Sequence, residues 1–273
     1  MAIREVKTTS NATRQMTVLK FDLDKIVAKK VLKVGKNRIS GRGSKGRISV
    51  RNRGGGSKRS YRIVDSRRVG FSGIKGRVEG INYDPNRSAN IALINYGKGV
   101  WSYIIAPEGL KAQDEVICDQ KTPVRVGNRM KLENIPASTQ IYNIELTELA
   151  GGQIVKSAGA TATLLGFDEK YAQIKLPSGE VRRIFKGCYA SIGVVSNSDH
   201  SNVVIGKAGR MRLMGRRPHV RGKAKNPCDH PHGGGEGGSS IGMTHPKTPW
   251  GMPALGRKSR NKKKKSSKLI ISK

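Results

Sequence analysis

VEGINYDPNRSANIALINYGKGVWSYII, residues 78–105, holds three short apolar runs separated by two turns, with no helix between them. Val78 to Tyr83 meets the turn former DPNRSAN at Asp84 and Pro85, and Ile91 to Tyr96 runs back as its hairpin partner. Gly97 and Gly99 then turn the chain into Val100 to Ile105, where Trp101, Tyr103 and Ile105 alternate onto one face. That two-residue period belongs to a half-buried strand. Proline fixes the φ angle a turn needs and glycine adopts those other residues avoid, so the spacing predicts antiparallel strands joined by tight turns.

The same pattern extends outward. Tyr61 to Asp65 (YRIVD) precedes it, and Val116 to Cys118 and Val124 to Val126 follow, with Pro107, Gly109 and Pro123 as punctuation. Residues 61–126 therefore read as a small antiparallel barrel. After Pro136 the pattern restarts in Ile141 to Leu146, Ala162 to Phe167, Tyr171 to Leu176, Val181 to Phe185 and Ser191 to Val195, with LPSGEV (Leu176 to Val181) as a hairpin turn. This predicts a second β unit over residues 127–200, the boundary falling between Val126 and Ser138. Residues 1–60 and 201–273 remain as basic extensions. In the first, Leu19, Leu23, Ile26, Val27, Val31 and Val34 are spaced for a short amphipathic helix over Val18 to Val34; in the second, a helical turn is expected near Gly206 to Met214.

Charge divides the chain in the same way. The 273 residues contain 53 Lys+Arg against 19 Asp+Glu, a formal net charge of +34. Residues 79–200 carry 13 basic and 13 acidic side chains, whereas residues 25–68 carry 16 and one, and residues 201–273 carry 18 and two. The middle can bury a core, while the flanks repel themselves until an anionic partner neutralises them; nucleic acid is the expected partner. Three widely spaced cysteines, Cys118, Cys188 and Cys228, do not make a disulfide framework and point to a reducing compartment. No run is long and apolar enough to span a membrane, and the N-terminus lacks the apolar region of a signal peptide.

The strongest functional stretch is Asn226 to Gly251, NPCDHPHGGGEGGSSIGMTHPKTPWG, with seven glycines and three of the five histidines. It can be neither helix nor central strand, and its order is expected to come from outside. Lys207 to Lys225 upstream and Arg257 to Lys268 downstream each contribute eight Lys/Arg. Charge density marks Arg42, Lys45, Arg47, Arg51, Arg53, Lys58, Arg59, Arg62, Arg67, Arg68, Lys207, Arg210, Arg212, Arg216, Arg217, Arg221 and the run Lys262, Lys263, Lys264 and Lys265 as nucleic-acid contacts, and Arg87 and Lys156 in the charge-balanced middle are counted with them as expected RNA-binding residues. His230 and His232 are expected to donate hydrogen bonds to phosphate, 2′-hydroxyl or base groups.

Three sharper readings compete. Cys228, His230, His232 and His245 can be written as a zinc set, but the Cys-x-His-x-His spacing is tight and offers one thiolate. Asp229, His230 and Glu236 hold the ingredients of general acid–base chemistry, as in a metal-dependent nuclease, yet the loop has little core to hold them rigidly. Gly151, Gly152 and Gln153 match the hydrolytic tip of peptide-release factors in three residues only. The expectation is therefore no catalytic residue, no metal and no cofactor; a general nucleic-acid-compacting protein is the remaining rival.

The blocks RGGGSKRSYRIVD (Arg53 to Asp65), DPNRSANIAL (Asp84 to Leu93), GGQIVKSAGA (Gly151 to Ala160), GKAGRMR (Gly206 to Arg212), NPCDHPHGGGEG (Asn226 to Gly237) and TPWG (Thr248 to Gly251) give the chain its resemblance to the ribosomal protein L2 family. They follow family order over nearly the full length; Ser57 and Cys228 depart from the family pattern without disturbing it. The resemblance implies an all-β fold, an oligonucleotide-binding-type barrel followed by an SH3-like barrel, with long basic arms threading large-subunit ribosomal RNA. It further implies contact with other ribosomal proteins and with the small subunit at the inter-subunit face. It also places His230 near the peptidyl-transferase region. The tail PALGRKSRNKKKK is similar to plastid and cyanobacterial members, so a chloroplast ribosome is expected, with a bacterial cytoplasm as the alternative.

Overall fold

A computed structural model describes residues 3–20, 23, 29–37, 40–261 and 263–272. The chain gathers into two compact units, one of Met1–Asn37, Lys58–Arg210 and Lys265–Lys273, the other of Arg38–Ser57 and Met211–Lys264.

The first unit opens with two short ribbons. β1 (Ile3–Glu5) pairs with β2 (Thr17–Leu19), and β3 (Lys33–Gly35) pairs with β4 (Ser60–Arg62) through Lys33–Arg62, Val34–Tyr61 and Gly35–Ser60. The helix expected over Val18 to Val34 is absent at both described ends, which are strand, with a single 3-10 turn at Lys30–Leu32; Ile26 and Val27 lie outside the described residues. Pairing with a partner distant in sequence overrides the local spacing.

β5 (Gly76–Asn82), β6 (Ile91–Asn95), β7 (Trp101–Ile105) and β8 (Glu115–Val116) form a sheet in the order β7-β6-β5-β8, as the quoted stretch predicts. Its central strand β6 is buried on both faces. Ala92 and Ile94 join Val78, Ile104, Leu110 and Val116 on one side, and Ile91 and Leu93 pack on Tyr103 on the other. Each such aliphatic side chain contributes about 1.5–3 kcal/mol on full burial. Val124 to Val126 is not a strand; these valines are half-exposed in a bend, which Asn128 closes by donating to the Pro123 carbonyl (2.9 Å).

Pairing resumes in β9 (Arg129–Lys131), then β10 (Gln140–Tyr142), β11 (Ala162–Phe167), β12 (Tyr171–Lys175), β13 (Val181–Phe185) and β14 (Tyr189–Ile192), followed by a short helix α1 (Ala208–Leu213). The C-terminal β15 (Ile270–Ser272) adds to β13, giving the order β15-β13-β12-β11-β10-β14-β9. The sheet wraps a core that includes Met130, Leu132, Ile141, Ile144, Leu164, Ile174, Ile184 and Ile192.

The two sheets share a seam. Ala89, Ile105, Tyr142 and Val195 form one apolar cluster drawn from both, Tyr142 donates its hydroxyl to the Ile105 carbonyl (3.2 Å), and Ser196 N–H donates to the Ala106 carbonyl (3.0 Å). Deeper in the second sheet, Arg129 and Glu145 are wholly buried and paired at 2.8 Å. Arg129 also donates to the Asn143 carbonyl, and Glu145 accepts from the backbone N–H of Gly151 and Tyr189.

Candidate RNA interface

The second unit is built by backbone pairing rather than by a core. The Gly41 carbonyl accepts from the N–H of Ser49 (2.9 Å) and Val50 (3.0 Å), and Gly43 N–H donates to the Arg47 carbonyl (2.8 Å); this hairpin displays Arg42, Lys45 and Arg47 to solvent. The stretch after it lies against the distant C-terminal segment: Arg217 N–H donates to the Asn52 carbonyl, Gly54 N–H to Gly215 and Ser57 N–H to Leu213. The two basic extensions are thus not independent arms here. Of the 74 residues in this unit, 19 are Lys/Arg and two are Asp/Glu, a net of +17 and half the charge of the whole chain.

The Gly/His loop supplies much of its own order, contrary to the expectation that order comes from outside. His230 N–H donates to the Asn226 carbonyl (3.2 Å), Gly233 N–H to His230 (2.8 Å) and Gly234 N–H to Lys225 (3.0 Å). Each histidine ring then accepts a backbone N–H: His230 Nδ1 from His232 (3.0 Å), and His232 Nε2 from Lys247 (2.8 Å). The His230 ring lies against Gly222 so closely that a Cβ there would overlap it, so glycine is required at that position. Desolvation lowers the His230 pKa first, and His232, Lys225 and Arg51 lower it further, all favouring the neutral ring that can accept. The sequence predicts His230 and His232 as donors toward RNA; Nε2 of His232 accepts within the loop, which leaves its Nδ1–H as the donor. With one nitrogen of each ring accepting, the other carries the proton and can donate, and no described residues form a cluster of three or more groups that could hold a metal ion.

The cations marked by the sequence separate into three classes. Arg42, Lys45, Arg47, Arg51, Arg53, Lys58, Arg67, Lys156, Lys207, Arg212, Arg216, Arg217, Arg221, Lys263, Lys264 and Lys265 are exposed; Lys262 lies outside the described residues. Arg59, Arg62, Arg87 and Arg210 are half-buried and partly engaged with protein. Arg87 pairs with the buried Asp84 carboxylate at 2.6 Å and Arg62 at 3.5 Å, Arg59 donates to the Pro85 carbonyl, and Arg210 donates to the Thr17 carbonyl. Together with Asn86 N–H, which also donates to Asp84, the bonds from Arg59, Arg62 and Arg87 staple the DPNRSAN turn. Arg68 must be corrected outright. It is 2% exposed and donates to the Gly127 carbonyl at 2.7 Å, which makes it an internal tie and removes it from the RNA-contact set.

Two smaller motifs resolve into packing. Gly151 and Gly152 are buried, Gly151 donating to Glu145 and Gly152 leaving room for the Asn143 side chain, so they form no exposed hydrolytic tip. Burial pushes the Cys188 thiol up to about 12 and raises Cys118, so neither supplies a thiolate at neutral pH; Cys228 is exposed. Sequence reasoning missed Trp250, 74% exposed with the Arg51 guanidinium 5.0 Å from its ring centroid. It also missed Lys29 over Trp101 at 3.9 Å. The TPWG motif was the available signal for the first; nothing in the spacing announced the second.

Two joined β barrels and a cationic, coreless unit define a structural RNA-binding protein. Two family models agree: Ribosomal Proteins L2, RNA binding N-terminal domain, matches residues 29–118, and Ribosomal Proteins L2, C-terminal domain, matches residues 125–251. The chain belongs to the ribosomal protein L2 family. Its fold is an oligonucleotide-binding-type barrel followed by an SH3-like barrel, and it is a structural component of the large ribosomal subunit that binds ribosomal RNA alongside other ribosomal proteins. No helix among the described residues is long and apolar enough to cross a membrane.

Proposed function

We propose that this protein supports assembly of the large subunit, its association with the small subunit and the organisation of the peptidyl-transferase region, without performing chemistry itself. The observation that carries this reading is the Gly/His loop. His230, the ring proposed to lie near the peptidyl-transferase region, is fixed as a neutral acceptor inside a loop surrounded by cations. With Nδ1 accepting the His232 N–H, the neutral ring carries its proton on Nε2, so it offers no bare nitrogen to take a proton from substrate and instead holds a backbone surface in shape. The exposed cations of the second unit, with Lys58, Arg67, Lys156, Lys207 and Lys262 to Lys265, are the proposed phosphate contacts. We further propose residues 61–126 and 127–200 as the two barrel domains between basic extensions, and a plastid ribosome as the location, with a bacterial ribosome as the alternative. The test is co-sedimentation with large particles through a high-salt wash, combined with binding to structured RNA and duplex DNA at matched salt. Retention on the particle with a preference for structured RNA is expected; equal binding to both nucleic acids would return the compaction reading.

A further inference from the structure

A cavity of about 530 Å³ lies wholly within the second unit, and its lining combines three kinds of group. Arg42, Arg53 and Arg217 are its cationic lining residues, with Arg42 also donating to the Gly46 carbonyl (2.8 Å), while Ile48 and Val50 are its apolar ones and Ser40, Asn52, Gly54 and Gly55 its small or polar ones. Among the described residues, no acidic side chain lines it. Ile48 and Val50 are 59% and 51% exposed, two of several large apolar side chains that this unit leaves open to water. Among the described residues, none of the three arginines makes a salt bridge. The segments that line it are tied by the backbone bonds of the hairpin and of the Asn52–Arg217 and Gly54–Gly215 pairs.

We infer that this cavity accepts a single extruded nucleotide of ribosomal RNA. Guanidinium groups match the flanking phosphates, the aliphatic pair covers a base face, and the short polar groups reach a base edge. A paired stem cannot offer this, because its bases are stacked away; a bulged base costs least to unstack. The inference rests on the rRNA-binding reading and adds to it which RNA feature is taken.

The test uses the full chain and two RNA hairpins identical except for one bulged adenosine in the stem. The bulged hairpin should bind about tenfold more tightly, the low-to-middle range for stacking one base. Replacing both exposed apolar residues, Ile48→Ser with Val50→Ser, should remove that advantage while leaving affinity for the paired hairpin unchanged, which also serves as the folding control. Arg53→Gln with Arg217→Gln should weaken both RNAs. Equal binding of the two hairpins by the parent, or equal weakening of both by the serine variant, overturns the nucleotide cavity while leaving general RNA binding intact. Failure of the parent to bind either RNA overturns both readings.

Discussion

The two units carry the same net charge, +17 each, but the first spreads it over 199 residues and the second concentrates it in 74. The first buries every fully enclosed aliphatic side chain described. In the second, the one described residue that is buried is His230. Burial therefore stabilises the barrels against their own charge, whereas the second unit depends on backbone hydrogen bonds and on glycines that permit close approach. A unit of that kind gains its remaining order when phosphate neutralises it. On the proposed reading, one chain divides the work between a scaffold with its own core and a surface completed by RNA.

The most drastic way to break this contrast is proteolysis. Limited trypsin digestion without RNA should remove the second unit together with the terminal strands β1 to β3 and β15, and leave a resistant fragment beginning between Ser60 and Arg77 and ending between Ser201 and Arg217. Mass spectrometry of the digest decides it, and survival of the intact chain would show that the cationic unit is stable alone. The scaffold half is sharpened by Arg129→Met, which strands the buried Glu145 carboxylate and should cost about 3–5 kcal/mol in urea unfolding of the full chain. A loss below about 1 kcal/mol, the range of exposed pairs, would mean that the ion pair is not what ties β9 into its sheet.

Arg129 also shows where reading the sequence stops. β11, β12 and β13 are legible within a residue or so, because alternation and the LPSGEV turn are local signals. β9 is not, because its key side chain is charged and nothing local distinguishes a buried arginine from a phosphate contact; Arg68 misleads for the same reason. β15 and the pairing of β3 with β4 depend on partners far along the chain. At the candidate interface the composition is legible and the architecture is not. Backbone bonds from Asn52, Gly54 and Ser57 to the segment at Leu213 to Arg217 leave no trace in side-chain pattern.

A smaller effect probes the charge itself. Replacing Lys262 to Lys265 with glutamine should weaken binding to unrelated RNAs almost uniformly. It should also lower the log–log salt slope by at most ~0.7 to 0.9 for each phosphate no longer neutralised. Binding isotherms over a salt series read this directly, and a loss confined to one RNA would mean that these lysines recognise a particular structure.

The smallest expected effect falls on His230, where the two units differ most in kind. An ordinary histidine titrates near 6.5, and the folded loop lowers that value, so the unfolded loop takes up a proton first as pH falls. The contribution of His230 to loop order is therefore complete above about pH 6.5 and is lost as pH falls through the depressed folded value, because protonated Nδ1 can no longer accept the His232 N–H. Imidazole NMR should find His230 titrating below the ordinary value, and a value at or above it would contradict the buried-acceptor geometry. His230→Gln offers an acceptor that cannot titrate, so this pH dependence should vanish while the loop persists; His230→Ala should lose the loop at every pH. The same pair separates structure from chemistry on the ribosome. A general base contributes about 10² to 10⁴-fold to rate, so assembled particles carrying His230→Gln should form peptide bonds within about tenfold of the parent if the ring only holds the loop. A hundredfold loss in correctly assembled particles, with the parent's rate following one ionisation, would make His230 a proton carrier. The cationic unit would then be part of the reaction as well as its support.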